Sequence, residues 1–217
     1  PRLAATERRR IMARPVGILR DPRFLVAVED AVVDIEHTTD AEIVVVAAGR
    51  SGSYRDIALL GGIAVGLLVL LFVVYAPWAF SPLLLPLELA LAIGAVAVAL
   101  DHAPRALSRL VPRVRRARQV RAAAAVAFTD EEVHATKRRT GVLVYVSALE
   151  NAVHVIADHG VMSRVPRAAT ALDGGTVHDL NEFLIYLKEL GGFLAQYVPP
   201  HDGDNPDEIP NTPRIRP

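Results

Sequence analysis

The sequence predicts an α/β protein that is interrupted by a pair of membrane-spanning helices. Two observations predict the sheet: a continuous run of apolar and β-branched residues at Glu42–Ala48, and two further strand-like runs at Gly141–Ser147 and Ala152–Ala157. A third observation is the apolar stretch 57–100 that separates them, where Glu88 is the only charged residue. Since strands before and after this stretch should share one sheet, we predict an α/β sandwich with an inserted helical hairpin.

The segments on either side of the apolar stretch have amphipathic patterns that predict helices. Apolar residues recur at helical spacing at Phe24, Val28, Val32 and Ile35, before the first strand. The alanine-rich, basic segment from Arg105 to Lys137 favours a helix. After the strand hairpin, whose turn is Glu150–Asn151, Gly175–Val198 predicts a helix that Gly191–Gly192 weakens or ends.

These elements predict five segments. They are a basic N-terminal arm (1–20), a split cytoplasmic domain (21–56 and 101–198), a transmembrane hairpin (57–100) and an extended or disordered tail (199–217).

The membrane hairpin has a predicted orientation. Arginines flank both of its ends, and the turn that contains Trp78 has none. Because positive charge is retained on the cytoplasmic side, both termini should be cytoplasmic, in a two-pass protein of a bacterial inner membrane. Glu88 is alone in the apolar stretch and cannot form a charge relay, so we interpret it as a snorkelling side chain or a subunit contact rather than part of an ion path.

The composition excludes several functions. With no cysteine, the 217-residue chain has no disulfide, thiolate nucleophile or zinc-thiolate site. Its 24 basic and 24 acidic residues balance, and its basic segment adjoins a membrane span without interleaved aromatic residues, so we predict no nucleic-acid partner. The arginines of that segment, including Arg113 and Arg116, should contact anionic lipid headgroups.

Several motifs resemble the TPM-domain family, named after a thylakoid-lumen phosphatase-like protein, a photosystem repair protein and a modulator of acetylcholine receptors. The resemblance is carried by "AEIVVV" before the spans, by H-x-T-x-x-R-T-G-V-L-V-Y-V-S at His134–Ser147, and by E-x-x-V-x-V-x-A-D-x-G-V at Glu150–Val161. "DNPDEIP" near the end is similar to the tails of bacterial members that carry a membrane hairpin. The resemblance implies a compact α/β/α domain that associates with large membrane complexes, photosynthetic ones among them.

The resemblance also implies a metal site in some members, with weak acid-phosphatase activity. By residue-wise match, Asp40, Glu42 and Asp158 would bind a divalent cation such as calcium or magnesium. The region after Val161 is basic here, where many members are acidic. Neutralisation by Arg138, Arg139 or Arg164 would weaken such a site.

Two main functional hypotheses follow, beside a remoter one in which the arginine-rich helix senses the lipid surface. The first is a non-catalytic accessory subunit without a resident cofactor, which stabilises, assembles or repairs a larger membrane complex. Its contacts with the partner subunits or with the bilayer would be Trp78, Glu88, Arg113 and Arg116. The alternative is a weak, divalent-metal-dependent phosphatase anchored at the membrane, although the chain has no phosphate-binding P-loop.

Overall fold

The computed structural model describes residues 17–77, 81–166, 172, 174–200 and 209–216, without the side chain of Arg105. Most of the predicted N-terminal arm, and Trp78 in the predicted turn, lie outside the described residues. The described α-helices are α1 (Phe24–Glu36), α2 (Arg55–Tyr75), α3 (Leu85–Asp101), α4 (Pro104–Leu110), α5 (Arg113–Asp130), α6 (His159–Met162) and α7 (Leu180–Tyr197). The strands are β1 (Glu42–Ala48), β2 (Gly141–Ser147), β3 (Ala152–Ala157), β4 (Gly175–Thr176) and β5 (Arg214–Arg216).

The chain divides into two compact units. One, which we call the sheet unit, comprises Pro1–Ser51 and Arg116–Pro217. The other, the helical unit, is Gly52–Arg115 and contains α2, α3 and α4. The helical unit is longer at both ends than the predicted hairpin 57–100, because it includes residues 52–56 before the hairpin and α4 and the start of α5 after it.

The sheet unit confirms the predicted pairing of strands from both sides of the insertion. The strand order is β4-β3-β2-β1-β5. Strands β1 and β2 run parallel, from Glu42 opposite Gly141 to Ala48 opposite Ser147. Strand β3 returns antiparallel to β2, as expected for a hairpin. The protein is therefore α/β, with a mixed five-stranded sheet among the described residues.

Helices cover both faces of this sheet, which explains the continuous apolar run of β1. Ile43, Val45 and Ala47 pack with α1 and α7 in one buried cluster. Val44 and Val46 point the other way, because side chains alternate along a strand, and pack with α5 in a second cluster. All seven residues of β1 are buried, as a strand covered on both faces requires.

Helix α7 differs from its prediction at two places that contain glycine, its start and Gly191. It begins at Leu180, where the Asp179 carboxylate caps the helix by accepting a hydrogen bond from the N–H of Glu182. Gly175 and Thr176 form the edge strand β4 instead. Gly191 does not end the helix, since α7 continues to Tyr197 and a Cβ at Gly191 would overlap the side chain of Ile35. This glycine allows α1 and α7 to pack closely.

The basic segment is also not a single helix. It consists of α4 and α5, separated at Val111 and Pro112. Proline cannot donate the backbone hydrogen bond that a continuous helix would need, and it restricts the residue before it.

The C-terminal tail requires a further correction. Its described part, Ile209–Arg216, joins the sheet unit, and β5 pairs in parallel with the last three residues of β1. A strand of three residues with two arginines has no recognisable hydrophobic alternation. Its place in the sheet therefore depends on partners elsewhere in the chain.

The helical unit contains two apolar helices that pack against each other. A Cβ at Gly62 or Gly66 of α2 would overlap Ile93 of α3, so these glycines permit close contact. The outward side chains remain exposed, for example Leu68 at 65% and Phe72 at 57%. Among the described residues, one helix, Arg55–Tyr75, is long and apolar enough to cross a membrane. Helix α3 has 17 residues, which rise about 26 Å.

Candidate functional site

The three predicted metal ligands lie at the same end of the strands of the sheet, which we call the carboxylate edge (Asp40, Glu42 and Asp158). Asp40 precedes β1, Glu42 begins it, and Asp158 follows the antiparallel strand β3. Because β1 and β3 run in opposite directions within the sheet, the start of one and the end of the other lie on the same side. All three residues are buried.

Backbone hydrogen bonds fix this edge. The N–H of Asp40 donates to the carbonyl of Val198 at the end of α7, over 3.0 Å. The N–H of Asp158 donates to Gly141, and the N–H of Gly160 donates to Arg139. A Cβ at Gly160 would overlap the carbonyl oxygens of Arg138 and Arg139, so only glycine permits this approach.

Arginines engage both oxygens of the Asp40 carboxylate. Arg138 Nη1 donates to Oδ1 at 2.6 Å, and Arg164 Nη1 donates to Oδ2 at 3.4 Å. The Asp40 side chain is 2% exposed, whereas those of Arg138 and Arg164 are 37% and 41% exposed. A buried carboxylate thus holds two guanidinium groups that reach solvent.

Asp158 is engaged in the same way. Its Oδ1 accepts the N–H of His159 at 2.7 Å and so caps the short helix α6, while its Oδ2 accepts Arg139 Nε at 3.2 Å. Arg139 itself is 60% exposed and adopts a positive φ of 55°. The predicted neutralisation by Arg138, Arg139 and Arg164 is therefore what the structure shows at Asp40 and Asp158.

This arrangement does not fit a resident divalent cation. Calcium and magnesium require several oxygen ligands around one point. Here the four oxygens of Asp40 and Asp158 already accept hydrogen bonds, and no group of three or more metal-ligating side chains occurs within the described ranges. A cation would have to displace the arginines from these oxygens. Metal binding by Asp40, Glu42 and Asp158 stays a prediction.

The other end of the strands carries a hydroxyl cluster that the sequence did not reveal. It is formed by Ser51, Tyr145, Ser147 and Glu150. Ser147 Oγ donates to Glu150 Oε2, and the N–H of Ser51 donates to both Glu150 oxygens at 3.2 Å. Ser51 Oγ donates to the Tyr145 hydroxyl at 3.3 Å. Because Ser147 and Glu150 are buried, we interpret the cluster as a structural tie between the segment after β1 and the β2–β3 turn.

The cluster perturbs the tyrosine. Burial raises the pKa of the Tyr145 hydroxyl above its ordinary value, the hydrogen bond from Ser51 opposes this shift, and the nearby charge of Glu150 reinforces it. Glu150 was predicted only as a turn residue. The sequence contained one signal for the cluster: the Glu150 carboxylate follows a strand in which Tyr145 and Ser147 share a face.

The predicted partner and membrane contacts occupy different positions. Glu88 lies in the first turn of α3 with an exposed side chain, where the helix N-terminus favours negative charge. Arg113 begins α5 and is exposed. Arg116 is partly buried, and its Nε makes no hydrogen bond to any residue that the structure describes. Trp78 lies outside the described residues.

Comparisons with known proteins add little. No family model matches the chain, and no curated protein matches it. One solved structure is similar, the NMR structure of BA42 protein from the psychrophilic bacterium Bizionia argentinensis, with 17% sequence identity, 90% of this chain and 94% of that chain covered, and a TM-score of 0.47. At this identity and TM-score the likeness carries no conclusion about function.

Proposed function

We propose that this chain is a membrane-anchored, non-catalytic accessory subunit that binds and stabilises a larger membrane protein complex. In this proposal the sheet unit is a TPM-type α/β/α domain on the cytoplasmic side of a bacterial inner membrane. The helical unit is its two-pass anchor. The observation that carries the proposal is the apolar surface of α2 and α3, which remains exposed.

That surface is unusual for a protein surrounded by water. Large side chains along α2 are exposed in succession, including Leu60 at 62%, Leu67 at 56% and Leu71 at 54%. Continuous apolar patches of this kind mark membrane or protein contacts. A bilayer or partner helices would cover them, and Glu88 near the start of α3 would lie toward the membrane boundary, where a charge costs less.

The chemistry of the carboxylate edge supports binding over catalysis. Hydrolysis assisted by a metal needs a cation with an open coordination position, or else an activated nucleophile. Asp40 and Asp158 instead anchor arginines, whose guanidinium groups reach solvent. These three partly exposed guanidinium groups offer hydrogen-bond donors that suit a protein partner or an anionic headgroup.

Purification from native membranes in mild detergent tests the proposal. We expect a fixed set of proteins to co-purify with the wild-type chain in constant ratio, and Glu88→Leu to lower their yield. The matched control is Glu189→Leu, an exposed carboxylate of α7 in the sheet unit. Purification of the chain alone, with normal membrane insertion, would contradict the proposal.

The phosphatase alternative has its own test. We expect phosphomonoester hydrolysis by the purified chain, with and without Ca²⁺ or Mg²⁺, to remain at the background of the Asp158→Asn variant. Turnover that depends on the cation and disappears in Asp158→Asn would establish the alternative instead.

A further inference from the structure

Three arginines at the carboxylate edge form one positively charged surface, which we call the arginine surface (Arg138, Arg139 and Arg164). Arg138 and Arg164 donate to the two oxygens of the same carboxylate, that of Asp40. Arg139 follows Arg138 in the chain and donates to Asp158, which caps the short helix α6. Since Arg164 comes directly after that helix, the three guanidinium groups lie around one pair of aspartates.

The charges of this surface are arranged in layers. The side chains of Asp40 and Asp158 are 2% and 9% exposed. Those of Arg138, Arg164 and Arg139 are 37%, 41% and 60% exposed. An anion that approaches from solvent therefore comes closer to the guanidinium groups than to the carboxylates, and the attraction falls with distance. The layer that solvent meets is positive, although the buried carboxylates offset part of the charge.

The bonds to aspartate leave hydrogen-bond donors on every arginine of the surface. A guanidinium group has five N–H donors. Arg138 and Arg164 use Nη1 to bind Asp40, and Arg139 uses Nε to bind Asp158. Within the described ranges these groups have no other acceptor, so their remaining donors serve water or a ligand.

Hydrogen bonds fix the backbone that carries the arginines. Arg139 adopts a left-handed φ of 55°, and its N–H donates to the carbonyl of Thr136. Its own carbonyl accepts the N–H of Gly160 at 2.9 Å, and the N–H of Arg164 donates to Val161. Because the aspartates already orient the guanidinium groups, a ligand has less side-chain freedom to remove when it binds.

We propose that the arginine surface binds an acidic segment of the partner protein, through several carboxylates of that segment. The three cations are anchored at two separate aspartates, so they fit carboxylates spaced along a chain better than one compact anion. Each contact is a charge-assisted hydrogen bond from a guanidinium group. The proposal rests on the accessory function, and it adds the chemistry by which the partner is recognised.

A lipid headgroup is the weaker candidate for this surface. The chain leaves the sheet unit after Ser51, beyond the end of β1, whereas the arginine surface lies at the start of β1. The seven residues of β1 span about 20 Å. The arginine surface is thus at the end of the strands remote from this connection to the helical unit, which favours a ligand in solution over one in the bilayer.

Binding of a fluorescent hexaglutamate peptide to the full-length chain in detergent tests the surface. The test variant is Arg139→Gln/Arg164→Gln, which leaves each aspartate another hydrogen-bond donor. The control is Arg23→Gln/Lys188→Gln, which removes the same charge from exposed positions elsewhere in the sheet unit. We expect the test variant to bind about tenfold more weakly than wild type, and the control to bind as wild type does.

Several results of the peptide assay would overturn the proposal. One is equal binding of hexaglutamate by wild type and by a test variant that is folded by circular dichroism, and another is equal binding of hexaglutamine. Displacement of the peptide by an equal concentration of inorganic phosphate, or by phosphatidylglycerol in the micelles, would show that a single phosphate group is the ligand. Binding that appears only after neutralisation of the acidic tail residues would assign the surface to the chain itself (Asp202, Asp204, Asp207 and Glu208).

Co-purification from native membranes separates this proposal from the accessory function on which it rests. We expect Arg139→Gln/Arg164→Gln to lower the yield of the partner proteins and Arg23→Gln/Lys188→Gln to leave it unchanged. Equal yields from wild type and the test variant would overturn the arginine surface as the contact and leave the accessory function intact. Absence of partner proteins from the wild-type preparation would contradict the accessory function itself, and this proposal with it.

Discussion

The two units of this protein use the same apolar residue types in opposite ways. In the sheet unit, Val45 and Leu187 are enclosed between a sheet and helices and are 1% and 0% exposed. In the helical unit, Leu68 and Phe72 of α2 are more than half exposed. Since burial of such side chains is the main favourable term in folding, a surface that leaves them exposed must meet a different environment. On the proposed function, lipid or partner protein would cover the exposed apolar surface of the helical unit.

The largest effect is expected when a carboxylate is introduced into the core of the sheet unit. Val45→Asp should destabilise the sheet unit by more than about 3 kcal/mol, because an unpaired carboxylate would lie among apolar side chains. Limited proteolysis of the membrane-bound chain measures the effect. A variant with wild-type protease resistance would show that β1 is not part of the core.

The corresponding substitution in the helical unit, Leu68→Asp, distinguishes an aqueous from a lipid environment around α2. At an exposed position of a soluble protein, Leu68→Asp would change stability by less than about 0.5 kcal/mol. Within a bilayer it should cost about 2.5–3.5 kcal/mol. We expect Leu68→Asp to reduce the fraction of chain that resists alkaline extraction from membranes, with Leu68→Val as the control. Equal extraction of the two variants would argue against α2 as a span.

Asparagine substitutions of Asp40 and Asp158 should lower the free energy of unfolding by different amounts, although both carboxylates are buried. Asp40→Asn removes the charge that pairs with Arg138 and Arg164, and we expect a loss of about 1–2 kcal/mol in the free energy of unfolding, since the arginines are partly solvated. Asp158→Asn should cost less, because asparagine also caps a helix and Arg139 is the more exposed partner. Urea unfolding of the two variants in detergent measures this order, and a larger loss for Asp158→Asn would contradict it.

The smallest effect concerns the hydroxyl cluster. The folded state raises the pKa of Tyr145 and so favours the protonated hydroxyl. Its contribution to stability is present below the unfolded pKa of about 10 and is lost as the pH rises through the higher folded pKa. At pH 8, Tyr145→Phe should cost about 0.5–1.5 kcal/mol through the lost hydrogen bond. At pH 11 the difference from wild type should shrink, and a constant difference would exclude a titrating Tyr145.

The sequence was most informative where a pattern repeats along the chain. A continuous β-branched run located β1, two adjacent strand-like runs located the β2–β3 hairpin, and helical spacing located the buried face of α1, because a core imposes those patterns. The arginine pairs of the carboxylate edge were anticipated as well, since Arg138 and Arg139 lie just before Thr140 and β2 and their charge is evident in the sequence.

Features that depend on distant partners were not predictable in this way. The place of β5 in the sheet requires Asp130 and Glu131, more than eighty residues earlier in the chain, and its own residues have no strand pattern. Gly191 was interpreted by its low helix propensity, whereas its actual role is to accommodate Ile35. The hydroxyl cluster joins Ser51 to Glu150 across the whole insertion, and no local motif marks such a contact.

Thiol labelling in intact cells tests the central claim, that the helical unit spans the membrane twice and leaves the sheet unit in the cytoplasm. The chain has no cysteine, so single cysteines report unambiguously. Ser81 precedes α3 and is exposed, and Glu189 is an exposed position of α7. With a membrane-impermeant reagent, we expect Ser81→Cys to be labelled in intact cells and Glu189→Cys only after lysis. Labelling of Glu189→Cys in intact cells, with Ser81→Cys protected, would contradict the account.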